Sequence, residues 1–209
     1  YMNGSVSIGT IVADGGTNVM FGGLTLLTVG TLTYTGTAVK TGQLTFGSNV
    51  TITSAFTVNG DSGINRVIVG VNANPTFTYG RTITMTLTGA TLTFSKVDFQ
   101  DITFVRGADM DLSTITGGSG NLGGNTLTGY TLTFTTADDW YWYNSGAGTY
   151  NYSDKTHWFT ETGGAGTRMD SDARNGGNCK ALLAQDNVFF DADSVNGATT
   201  IDQDLPRMG

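Results

Sequence analysis

Few residues in this 209-residue chain are of types that do chemistry, and their spacing decides which reactions are open to them. The single histidine, His157, stands in Ser153-Asp154-Lys155-Thr156-His157-Trp158, where Asp154 is near enough in sequence to orient it as a general base. A serine triad also needs its nucleophile on a strained turn, and no Gly-x-Ser-x-Gly segment exists. His157 therefore reads as a loop cap or as a ring packed on Trp158. Four carboxylates, Asp98, Asp101, Asp109 and Asp111, fall within fourteen residues. Glycoside cleavage wants two carboxyl groups about 5–9.5 Å apart, one with a raised pKa. On a straight strand Asp98 and Asp101 point to opposite faces, so only a bend would unite them. Solvated turn carboxylates are the plainer reading, and no catalytic residue is assigned.

Two further groups suggest binding. Asp170-Ser171-Asp172 and Asp191-Ala192-Asp193 present alternate oxygens, followed by Asn175-Gly176 and Asn196-Gly197. A helix-loop-helix calcium loop places ligands at positions 1, 3 and 5 with Gly at 6. Here Gly arrives one position late, and Arg174 and Val195 hold position 5. Asp170, Asp172, Asp191 and Asp193 are thus candidate calcium ligands set against a turn role, and no other cofactor is expected. Trp140-Tyr141-Trp142-Tyr143 puts two Trp on one face and two Tyr on the other if the segment is a strand. With Trp158, residues Trp140, Trp142 and Tyr143 read as a small core or an interface anchor, or as a surface on which sugars stack.

The elements that position these residues are strands. Leu44-Thr45-Phe46, Val50-Thr51-Ile52-Thr53, Ile83-Thr84-Met85-Thr86-Leu87, Leu92-Thr93-Phe94 and Leu132-Thr133-Phe134 alternate apolar and Thr. Thr suits the outward face, where its β-branch favours extended backbone and its hydroxyl stays wet. Single turn residues such as Gly30, Gly36, Gly42, Gly47 and Gly89 separate these runs of about five residues, too closely for crossover helices. Only residues 179–186 suggest a helical turn. The fold class is all-β, a β-solenoid or parallel β-helix-like stack with rungs of about 20–25 residues. The alternative is an antiparallel β-sandwich, which the scarcity of Pro and of two-residue hairpin turns disfavours. The Gly-rich segments 117–129 and 163–178 read as loops, and 187–191 and 199–202 return to strand texture.

Charge divides the chain. Residues 1–137 carry six acids and five bases, whereas 138–209 carry eleven acids and five bases together with all three Trp. Two units follow: a Thr/Gly-rich β domain over 1–137 and an acidic Trp/Tyr-rich module over 138–209. A net charge of −7 argues against nucleic acid as a partner, since phosphate neutralisation needs clustered Lys and Arg. One cysteine, Cys179, excludes an internal disulfide framework. No apolar run approaches the roughly 20 residues of a membrane-spanning helix. The opening on Tyr1 and the close on Leu205-Pro206-Arg207-Met208-Gly209 suggest a processed product or a piece of a longer protein.

Several segments taken in order carry a resemblance: Val97-Asp98-Phe99-Gln100-Asp101-Ile102, Asp111-Leu112-Ser113-Thr114-Ile115-Thr116-Gly117-Gly118-Ser119-Gly120-Asn121, Trp140-Tyr141-Trp142, Ser153-Asp154-Lys155-Thr156-His157-Trp158 and Asp186-Asn187-Val188-Phe189-Phe190-Asp191-Ala192-Asp193-Ser194. Over residues 95–204 the chain resembles Gly/Thr-rich fibre-like proteins of phage genomes and environmental sequences, in which β-solenoid stretches alternate with Trp-centred modules. It departs from their Trp-Val-Gly-Gly pattern at Trp142-Tyr143-Asn144-Ser145-Gly146. The resemblance implies a repetitive virion or surface fibre and no known catalytic residues. The expectation is a structural, self-associating homo-oligomer, extracellular or on a virion surface. A glycan-binding adhesin is the alternative, and a polysaccharide depolymerase a more distant one.

Overall fold

Alternating apolar and Thr residues bring successive passes of the chain edge to edge, because one face of each strand must be buried and the other can stay wet. The computed structural model describes residues 4–200, apart from 15–17, 23, 40, 72–80, 145, 147 and 195–196. The first pass is β1 (Ser5–Asp14) and β2 (Asn18–Phe21), and the second is β3 (Leu26–Thr35) and β4 (Gly42–Phe46). The third is β5 (Val50–Asn59) and β6 (Val67–Val71), and the fourth β7 (Ile83–Thr86) and β8 (Thr91–Gln100). The fifth comprises β9 (Ile102–Val105), β10 (Met110–Asp111) and β11 (Thr116–Asn121), and the sixth β12 (Thr126–Leu127) and β13 (Leu132–Thr133). Every described pairing among these strands is parallel, most of them within one eleven-stranded sheet. An antiparallel sandwich is therefore not the architecture: the protein is all-β with a long parallel sheet, compatible with a β-helix or solenoid.

Each of the first five passes carries three runs and the sixth two, and each run has its own inward ladder. On the first, Val6, Leu27, Val50, Met85, Phe104 and Leu127 lie in register. On the second, Ile11, Leu32, Phe56 and Leu92 do, and on the third Val19, Leu44, Val69 and Phe99. These residues form one hydrophobic core. Outward positions carry Thr in register, such as Thr33, Thr57 and Thr93, and the Thr126 hydroxyl donates to the Thr103 hydroxyl at 3.2 Å. Most register steps span 19–25 residues; the step from Val50 to Met85 is longer because it includes 72–80.

Strands β1, β3, β5 and β8 are ten residues long, not five, since one strand runs through the bend between two runs. Lys96 and Asp101 take left-handed backbone, with φ of 51° and 55°. These single-residue corners re-aim the chain so that Phe94, Phe99 and Phe104, five residues apart, meet edge to face. Such a corner is unfavourable for a residue with a Cβ, and the aromatic contacts it permits offset that cost. The Gly-rich segment 117–129 is not wholly a loop: Thr116–Asn121 is β11, paired with β8. Its glycines are required by proximity. A Cβ on Gly117 would strike the Lys96 side chain, and one on Gly120 the Asp98 carboxylate. Residues 179–186 are not helical; among the described residues the one short α-helix, α1, spans Arg174–Gly177.

Phe99→Ala empties the place where three rings touch and is expected to cost about 3–5 kcal/mol. Thr93→Ala, on the exposed face, is expected to stay within about 0.5 kcal/mol. Urea unfolding of the two variants measures the contrast, and equal losses would contradict the inward–outward assignment.

Candidate functional site

The functional candidates gather where the Trp-rich segment folds back on the third run of the parallel sheet. Asp98 points outward from β8, opposite to Val97 and Phe99, yet it is fully buried. Arg66, just before β6, donates through Nε to Asp98 Oδ1 at 2.7 Å, and both side chains are 0% exposed. The rest of the guanidinium is used as well: Nη1 donates to the Gly117 carbonyl at 2.5 Å, and Nη2 to those of Gly118 at 2.8 Å and Val97 at 3.1 Å. Removing two charges from water is costly unless every donor is matched, and these carbonyls match them. The cover comes from residues 174–186. Cys179 and Leu183 lie against Gly118, where a Cβ would fall 2.6 Å from the sulfur. The Asn178 carbonyl accepts from the Gly117 N–H.

Gln185 closes the edge of β11 as a further strand would. Its Oε1 accepts from the Asn121 N–H, and its Nε2 donates to the Ser119 and Thr135 carbonyls. Asp186 holds the same segment to the module. It accepts from Arg174, which also bonds Asp172, and from the Leu183 and Asp138 N–H groups. Burial pushes its carboxyl up, and these donors oppose that push.

The module has its own core of Trp140, Trp142, Tyr152, Trp158, Met169 and Leu182. β14 (Asp139–Trp142) lies between β16 (Trp158–Phe159) and β17 (Asn187–Phe189), and β15 (Thr149–Asn151) pairs with β18 (Ala198–Thr200). The alternation expected of Trp140-Tyr141-Trp142-Tyr143 holds: both Trp are buried and both Tyr half-exposed. Trp142 meets Trp158 edge to face at 5.0 Å, and Trp158 Nε1 donates to the Tyr152 carbonyl. With Trp140, Trp142 and Trp158 at 0–2% exposure, no sugar can stack on them. Tyr143 is turned to Phe159 and packs on Gly164.

A cleft of about 340 Å3 opens beside this core, between residues 62–64 of the β5–β6 connection and residues 152–156 and 180–182. The buried Trp158, Met169 and Leu182 back it from the core side, and the exposed Lys155 and Lys180 are among the residues that line it. Sequence reading passed over both lysines, because three segments far apart in the chain create the cleft.

The other candidates go separate ways. Asp170 is held in a two-bond pair by Arg168, and Asp172 by Arg174 and its N–H. Asp191 and Asp193 both accept from the Thr162 hydroxyl, at 2.5 and 3.2 Å. Among the described residues no three acidic, His or Cys side chains gather to hold a metal, so the four proposed calcium ligands do not form one site. His157 Nδ1 lies 3.0 Å from the Tyr143 carbonyl, and its ring sits on Tyr150 and Trp142, not on Trp158. Asp98 is sealed from any substrate by Arg66. Asp111 serves a turn, accepting from the Ser113 N–H, and Asp109 links two passes, accepting from the Thr131 N–H. Ile201, Asp202 and residues 205–209 lie outside the described residues, as does the Val195-Asn196 pair.

Asp98→Ala leaves the Arg66 charge buried and is expected to cost about 3–5 kcal/mol, with part recovered by adding Arg66→Met; denaturant unfolding reads both. A second expectation concerns pH. The Ser113 hydroxyl and N–H hold Asp111 below the ordinary carboxylate range, whereas burial pushes Asp101 up. Stability from Asp111 is present above the ordinary range and lost as pH falls through its folded pKa. Asp101 acts oppositely: its folded form keeps the proton longer, so its burial costs stability as pH rises toward its folded pKa. Carboxyl carbon NMR should find Asp101 titrating above Asp111, and the reverse order would refute both assignments.

Comparison with protein-family models, curated proteins and solved structures finds no match for this chain.

Proposed function

We propose that this chain is a structural, self-associating β-solenoid segment of a fibre, spike or filament, placed outside the cell or on a virion surface. The observation that carries the reading is the uncovered first pass. Among the described residues β1 pairs only with β3, and β2 only with β4. The inward side chains of this pass remain partly exposed: Ile8 is 36% exposed, whereas Val29, its register mate, is at 0%. Val6, Ile11, Ala13, Val19 and Phe21 are likewise only half-buried.

Proteins that keep such an edge alone usually protect it with Lys, Pro, a bulge or a covering loop. β1 is ten residues long, contains no Lys, Arg or Pro, and has Asp14 as its only charge. A further rung laid on it continues three ladders already built and satisfies the free backbone groups of the edge. The Thr faces and the low charge of the first unit suit lateral packing, and the likeness to fibre-like phage proteins points the same way. The role is mechanical, and no catalytic step is assigned.

Electron microscopy and sedimentation of the purified chain at neutral pH test this. The expected result is rods or regular oligomers that Ile8→Lys disperses while the melting temperature stays nearly unchanged. Chelator is expected to leave them intact, because Asp170 and Asp172 are engaged by arginines. Dispersed monomers of the unaltered chain at all concentrations would overturn the proposal.

A further inference from the structure

The distribution of free positive charge singles out the cleft beside the Trp core. Most described cationic side chains are occupied. Arg66 pairs with Asp98, Arg168 with Asp170, and Arg174 with Asp172 and Asp186. Arg81, Lys96 and Arg106 donate to the backbone carbonyls of Gly47, Asp61 and Asp109. Among the described residues Lys155 and Lys180 alone have neither a hydrogen-bond acceptor nor an ion-pair partner, and both line the same cleft. The carboxylates in reach are already satisfied. Asp154 accepts from the Thr156 N–H and hydroxyl and faces His157. Asp170, which feels Lys155 at a distance, is held by Arg168.

The rest of the lining decides what kind of anion fits. At about 340 Å3 the cleft is at the small end of ligand sites, which run from about 300 to 1,000 Å3. Its rim carries the hydroxyls of Ser62, which accepts from the Asn65 N–H, and of Thr156, which donates to Asp154, and its partly exposed apolar lining is that of Ile64 and Ala181. A ring with an apolar face, several hydroxyls and a carboxylate meets all three features. A net charge of −7 works against a long polyanion, so the anion must be short or sparsely charged.

The geometry points to a binding site for a short carboxylated oligosaccharide, its carboxylate between Lys155 and Lys180 and its hydroxyls on the serine and threonine rim. The site borders the aromatic cluster through Tyr152 and Trp158 but does not use the buried Trp rings as a stacking face, and it stands independently of the self-association proposed above. An adhesive contact to an acidic glycan coat would be its use in an exposed fibre.

Amide NMR titration of the 209-residue chain with trigalacturonate, alongside neutral cellotriose and sodium acetate, tests the assignment. Binding in the range of about 1 mM is expected for trigalacturonate, with shifts at residues 62–64, 152–156 and 180–182. The Lys155→Gln, Lys180→Gln double variant should bind about tenfold more weakly or worse, with an unchanged melting temperature. Added salt should weaken binding in the unaltered chain. Equal binding of cellotriose, acetate as strong as the saccharide, an unaffected double variant, or no shift within the cleft would each overturn it. Electron microscopy reads self-association separately, so either proposal can fail without the other.

Discussion

A strand can pair in parallel with the pass beneath it only if the chain turns its corners and returns to the same height, and in this protein the tightest corners are single residues. Lys96 and Asp101 turn within one backbone step, in the left-handed conformation that non-glycine residues rarely take. Everything nearby depends on those turns. They aim Phe94, Phe99 and Phe104 from three directions into one aromatic contact, and they set the height at which Asp98 meets Arg66. They also leave no room for a Cβ on the next pass at Gly117, or at Gly124 beneath Asp101. Gly124 and Gly117 both have positive φ, so proximity and backbone conformation ask for the same residue.

The buried Arg66–Asp98 pair shows how the parallel sheet accepts a second layer. A bare parallel strand would present Ile68 and Asp98 to water on its outward side. Here the segment around Cys179 to Asp186 lies over them, and Arg66 reaches the Gly117 and Gly118 carbonyls from within. The pair is weak evidence of stability, because an apolar pair of similar volume would do as well or better. In the register that β11 takes against β8, two glycine carbonyls fall on the guanidinium. Gln185 completes the arrangement by offering its carboxamide where a backbone amide of another rung would lie.

The two ends of the sheet are thus treated differently. On the third run the last strand is closed by side chains, and its N–H and C=O groups bond to Gln185 and Thr135. The first pass has no such cover among the described residues, and its inward aliphatic side chains stay half in water. Burying them against another rung yields about 25 cal/mol per Å2 of apolar surface, without the strain of a new fold. The proposed self-association would bury this layer.

Much of the fold was legible in the residues themselves. The alternation of Leu, Ile, Val and Phe with Thr determines strands, because a period of two can bury only one face of extended backbone. Closely spaced single glycines left no length for crossover helices, and the burial of Trp140 and Trp142 against half-exposed Tyr141 and Tyr143 follows from the same period. Asp111 behaves as a turn residue for an equally local reason, since it bonds the Ser113 N–H and hydroxyl two residues on, whereas Asp109 bonds the Thr131 N–H of the next pass. Only the tertiary structure decided that Thr116–Asn121 is a strand, since glycines there answer to Lys96, Asp98 and Cys179, side chains from elsewhere in the chain. It likewise decided that Asp98 belongs to Arg66 and that Asp170 and Asp172 belong to arginines. It alone joined residues 62–64, 152–156 and 180–182 into one cleft. Local periodicity reports which face of a strand is buried; what lies against that face depends on rungs of unequal length, and no short window of sequence contains that information.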